Sequence, residues 1–134
     1  MQNAAMVTDR KKLLKQVAEM YFEGLRTKSF SIIPFSDNIN FRAPIAPGGV
    51  HQPLIGVKNV FEQWWQPLEP LLEGITIDVV DHYYNEDESG IISRADIILR
   101  DSGIKLRVAD RFRINEDGDI IEQENHFDAS PLRG

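Results

Sequence analysis

Residues 108–127 read VADRFRINEDGDIIEQENHF, two alternating runs of apolar and polar residues around an acidic knot that contains one glycine. Strict alternation predicts half-buried strands, because successive side chains of a strand point to opposite faces. Leu106, Val108, Phe112 and Ile114 then share one face, and Lys105, Arg107, Arg111 and Arg113 share the other. Asp110 falls on the apolar face, where an ionised carboxylate is costly unless paired or neutralised.

Taking Asp117-Gly118 as a two-residue hairpin turn pairs Arg113 with Glu122, Arg111 with Glu124, Phe112 with Gln123, Ile114 with Ile121, and Asp110 with Asn125. Opposite charges meet on the outer face, as favourable cross-strand pairs should. The same construction at Ser102-Gly103 sets Leu99 against Leu106, Ile97 against Val108, and Ala95 against Asp110. Upstream, ITIDVVDHYYN and GIISRADIILR supply two more strands, so an antiparallel four-strand meander is expected. In the first of these, Ile75, Ile77, Val79, Asp81 and Tyr83 are placed inward, which leaves His82 outward. The inner face therefore carries one polar cluster, Asp110, Asn125 and Gln123 with Ser93 and Asp81, in apolar surroundings that include Phe112. That composition suits a small-molecule cavity. It equally suits an Asp110–Asn125 hydrogen bond that merely anchors the core.

The first half of the chain is helical in pattern. Leu14, Val17, Ala18, Tyr21 and Leu25 mark one face of a helix over about 8–27, capped by Thr8 or Asp9. A short turn and a brief strand at 38–42 follow. The Pro/Gly-rich loop APIAPGGVHQPLIG, residues 43–56, is expected to border the cavity mouth, where His51 is the one candidate proton acceptor; a solvent-facing loop histidine is the plainer alternative. A second helix starts near Gly56 with Val57, Val60, Phe61, Trp64 and Leu68 as its apolar stripe. Adjacent Trp64 and Trp65 on one regular helix cannot both point squarely inward.

The chain has 134 residues, 42% of them hydrophobic, and reads as one α+β domain over 1–134 with its core at about 8–128. It contains no cysteine, so disulfides and thiolate chemistry are excluded and a cytoplasmic address is expected. No His pair has ligand spacing, so neither a metal nor an organic cofactor is expected. The net charge of −6 comes from mixed signs without a basic stripe, which argues against nucleic acid, and no run is apolar for long enough to span a membrane.

MYFEGLRTKSF at 20–30, FSDNINFRAP at 35–44 and ADRFRINEDGDIIEQENHFD at 109–128, in the order helix, strand, Pro/Gly loop, helix and meander, resemble the nuclear transport factor 2-like superfamily, which includes ketosteroid isomerases and SnoaL-like cyclases. The resemblance implies a cone-shaped barrel: N-terminal helices packed on a strongly curved, mainly antiparallel sheet, a pocket inside, and a homodimer through the outer sheet face. It places Tyr21 at the ketosteroid isomerases' oxyanion-hole tyrosine and Asp110 at their protonated, donating acid. Their general-base aspartate precedes a proline, and the matching pair here is Ala43-Pro44, so steroid isomerisation by that route is not supported. Gln123 and Asn125 stand where the cyclases carry acid/base groups. The Asp/Arg/Asp set of the superfamily's epoxide hydrolases is not assembled, since Arg94 and Arg100 fall on the outer phase. What remains is a binder of a compact, apolar or amphipathic carbonyl or phenolic molecule. Tyr21 and Asp110 would serve as its oxygen donors, and Trp64, Asn125, Gln123, Phe112 and Asp81 would line the site. Isomerase, cyclase or lyase chemistry on an enolate-like oxyanion is one extension; a noncatalytic ligand-binding or dimeric scaffold module is the other.

Overall fold

The structure, a computed structural model, describes residues 2–132, with side chains from Asp9 onward. Helix α1 (Gln2–Thr27) begins earlier than its pattern suggested, because nothing in the Ala- and Met-containing start breaks it; neither Thr8 nor Asp9 is a cap. Its buried stripe is Leu14, Val17, Ala18, Tyr21, Phe22 and Leu25. Lys28, left-handed at φ 56°, ends the helix, and the Ser29 amide returns to the Gly24 carbonyl at 2.8 Å.

Strand β1 (Phe35–Arg42) is longer than the expected 38–42, and the loop after it holds a short strand, β2 (Leu54–Ile55). Next come α2 (Val57–Val60), a π-helical turn (Phe61–Trp65), α3 (Gln66–Leu68) and a 3-10 turn (Glu69–Leu72), which together continue helically from 57 to 72. The meander is β3 (Thr76–Tyr84), β4 (Gly90–Ile98), β5 (Lys105–Ile114) and β6 (Ile120–His126). The strands form one open, curved sheet in the order β2-β1-β6-β5-β4-β3, antiparallel except for the β1–β6 pair. The helices cover its inner face. Among the described residues no helix is long and apolar enough to cross a membrane.

The closing hairpin keeps the expected register from Arg113↔Glu122 to Asp110↔Asn125. A register shift between Arg113 and Ile114 then sets Ile114 against Ile120 rather than Ile121. The turn is wider than two residues: Asn115 and Asp119 close it, with Gly118 at φ 88°, a conformation that favours glycine. The β4–β5 hairpin is also wider than expected, so Ile97 faces Leu106 and Asp110 faces Ser93, not Ala95. A two-residue displacement leaves every side chain on its expected face.

Strand β3 departs from expectation. A β-bulge between Val79 and Asp81 inserts Val80 opposite β4, so the phase inverts halfway. Ile77 stays buried, but Asp81 and Tyr83 turn outward and His82 turns inward with Tyr84. Both indoles are buried as well. The i→i+5 turn over Phe61–Trp65 is wider than an α-turn, so Trp64 reaches Tyr21 and Phe41 while Trp65 packs on Phe30.

Candidate functional site

Helix α1 delivers Tyr21 to the inner face of β5 and β6. There its ring meets Phe112 edge-on at 5.2 Å and stacks with Trp64 at 6.3 Å. A small cavity of about 50 Å³ opens at this point. Its polar groups are Tyr21, Asp110 and Asn125; its apolar wall includes Trp64, Leu68, Val108 and Leu132. A shallower vestibule of about 340 Å³ lies outside and shares Ile45, Trp64, Leu68, Leu71 and Leu132 with it.

The hydrogen bonds run in one direction. Gln123 Nε2 donates to Asn125 Oδ1 at 2.9 Å, and Asn125 Nδ2 donates to the Tyr21 hydroxyl at 3.3 Å. Tyr21 therefore accepts from Asn125 and its O–H remains a donor, while Gln123 Oε1 has no hydrogen-bond partner among the described residues. Asp110 is 2% exposed; the His126 backbone amide bonds its carboxyl, and Oδ1 has no partner among the described residues. Burial raises the Asp110 pKa well above the ordinary carboxylate value, and only the His126 amide opposes it. Burial, reinforced by Asp110, likewise pushes the Tyr21 hydroxyl well up. Both groups are thus held in their neutral, donating forms. Among the described residues Asp110 and Asn125 do not bond each other: Asn125 bonds Tyr21 and Gln123 instead.

The remaining expected site residues separate. Trp64 and Asn125 line the cavity. Gln123 is fully buried behind it as the support of Asn125, and Phe112 is core packing between Tyr21 and Phe22. Asp81 is not a site residue, because the bulge turns it into solvent. His51 sits on an exposed 3-10 turn and does not line the cavity, since only Pro44 and Ile45 of its loop reach the mouth. Residues after β6 do: Phe127 lines the cavity and Leu132 both spaces. Their only mark in the sequence is apolarity in a polar tail. Among the described residues no group of three His, Asp or Glu side chains is arranged to hold a metal ion.

No protein-family model matches the chain, and no curated protein matches it by sequence. Solved structures do match its fold. A SnoaL-like protein of unknown function from Burkholderia thailandensis aligns at 11% identity and TM-score 0.71, over 87% of this chain and 95% of that one. The epoxide hydrolase/cyclase-like enzyme SalBIII, described in pyran ring formation in polyether salinomycin, aligns at 14% identity and TM-score 0.72, over 88% and 92%. A steroid delta-isomerase from Pseudomonas aeruginosa aligns at 16% identity and TM-score 0.64, over 89% and 82%. The chain has the nuclear transport factor 2-like cone fold.

Proposed function

We propose that the protein binds a compact, mostly apolar molecule through one carbonyl or phenolic oxygen, which takes hydrogen bonds from Tyr21 and Asp110. The observation that carries this reading is the buried, unpartnered Oδ1 of Asp110 beside a tyrosine hydroxyl that accepts from Asn125. Two preorganised donors on one oxygen would stabilise an enolate or similar oxyanion, an effect of about 3 kcal/mol for a single donor. Isomerase, cyclase or lyase chemistry is the catalytic form of this reading, and the SalBIII and steroid isomerase likenesses are consistent with it.

A specific observation favours the noncatalytic form. Among the described residues Tyr21 and Asp110 are the only titratable groups lining the cavity, Ala43 offers no base, and His51 is elsewhere. A proton acceptor would have to come from the substrate. The cavity is also smaller than the roughly 150 Å³ that holds benzene, so a ligand must displace Leu68, Leu71 or Leu132 toward the vestibule.

Tryptophan fluorescence, read from Trp64 and Trp65, tests the reading with matched probes: p-cresol against p-xylene, and cyclohexanone against methylcyclohexane. The oxygen-bearing member of each pair should bind at least tenfold tighter, equivalent to about 1.4 kcal/mol. Tyr21→Phe should remove most of that preference. Equal binding within each pair would overturn the proposal.

A further inference from the structure

Four polar residues form one row across an inner face whose other buried polar side chain, among the described residues, is Gln123, and each comes from a neighbouring strand. Asn125 on β6 opposes Asp110 on β5, Asp110 opposes Ser93 on β4, and Ser93 opposes His82 on β3. Ile91 and Phe112 flank the row on one side and Ala95 and Val108 on the other, all buried. A polar row in such a setting carries a desolvation cost at every member. Cavity lining does not explain it, because neither Ser93 nor His82 touches the cavity.

Ser93 is fully buried, and its hydroxyl lies 2.8 Å from Nδ1 of His82. His82 is half-buried at the sheet's edge strand, and it faces inward because Val80 bulges out. Bulges commonly re-aim a side chain beside a functional site. At the inner end, Asp110 holds an oxygen without a partner. Opposed residues of antiparallel strands place their Cβ atoms about 4.5–5.5 Å apart. Ser93 and Asp110 are thus close enough for a direct bond after a side-chain rotation, or for a bridge through one water.

We propose that His82 and Ser93 are a proton relay between solvent and the cavity carboxyl of Asp110, working while the cavity stays closed. Outward, the Asp110 O–H proton passes to Ser93 Oγ as the Ser93 hydroxyl proton passes to His82 Nδ1. The imidazolium then releases its Nε2 proton to water. One proton has left, Asp110 is a carboxylate that accepts from Ser93, and His82 is neutral with its hydrogen on Nδ1. Inward transfer is the reverse, starting with protonation at Nε2. The charged groups around the ring are Lys15 and Glu19 of α1 and the adjoining Asp81. Burial and Lys15 disfavour the imidazolium, and Glu19 and Asp81 favour it. The resting states are therefore the two neutral tautomers, one for each state of Asp110.

The relay rests on the reading of Asp110 as an exchangeable cavity acid, and one NMR titration of the full chain from pH 5 to 10 separates the two. The Asp110 carboxyl carbon reports ionisation, and the His82 ring nitrogens report the tautomer. We expect Nε2–H while Asp110 is protonated and Nδ1–H once it ionises, with a shared midpoint. Ser93→Ala should uncouple the two signals, and Asp110→Ala should hold His82 as Nε2–H at every pH where the ring is neutral. A carboxyl ionised throughout would sink the donor reading, yet the relay then demands Nδ1–H throughout. A carboxyl protonated throughout demands Nε2–H. The opposite tautomer in either case, or coupling that survives Ser93→Ala, overturns the relay.

Discussion

At the residue scale, the environment of Asp110 makes a signed prediction about pH. Burial raises its folded pKa above the unfolded value near 3.8, so the folded state holds this proton more tightly than the unfolded chain. The stability it contributes is complete below the unfolded pKa and is lost as pH rises toward the folded one, by up to about 1.4 kcal/mol per pH unit. Asp110→Asn removes that dependence while keeping shape and a donor. Urea unfolding from pH 4 upward should therefore show the variant gaining on the wild type as pH rises, starting from a small deficit. Parallel curves would mean that Asp110 is an ionised anchor. Its position on the inner face was legible from period-two alternation alone, because the neighbours Val108 and Phe112 are unambiguous. Its partners were not, since nothing in the sequence says that Asn125 is already committed to Tyr21 and Gln123.

At the element scale, phase was legible wherever a strand contrasts apolar with charged residues. Residues 105–114 alternate so sharply that both hairpins kept their faces even though their turns were wider than supposed. Strand β3 lacks that contrast. Val79 and Val80 are both apolar, so the sequence does not say which belongs inside, and Asp81 and His82 exchanged roles. Trp64 and Trp65, of which at most one was expected to point squarely inward, are both buried for a related reason: a regular helical period cannot express a π-turn. The bulge makes a prediction of its own. Val79 pairs with Ala95 and Asp81 with Arg94, so deleting Val80 joins two segments already in continuous register. Val80 is 55% exposed, and its loss should cost about 1 kcal/mol or less while leaving the His82–Ser93 contact in place. A deletion variant in which the His82 ring loses that contact, seen by cross-strand NMR contacts, would show that the bulge does more than absorb one residue.

At the scale of the whole molecule, the two faces of the sheet have divided the work. The inner face is committed to the core and the cavity, and among the described residues no element covers the outer face. On that outer face Tyr83 and Ile92 are directly opposed, at 56% and 40% exposed, and Val80 and Ile98 add further apolar surface at 55% and 38%. Tyr84, by contrast, faces inward with Lys11 over its ring, so it does not contribute to this surface. Around the apolar patch, Arg111 bridges Glu122 and Glu124, Arg113 meets Glu122, and Arg94 and Lys105 meet Asp96, so these charges find partners within the face. Apolar surface rimmed by internally paired charge is what an interface between copies needs, because charges with local partners resist desolvation less than free ones. A homodimer through this face is the expected state, with the two cavities opening away from the contact. Light scattering behind size exclusion should give about twice the 15.3 kDa chain mass at micromolar concentration. Ile92→Asp, which buries a carboxylate at the centre of that contact, should return the protein to one chain while leaving the cavity and its ligand preference unchanged. A wild type that runs as a single chain would remove the outer face from any account of assembly.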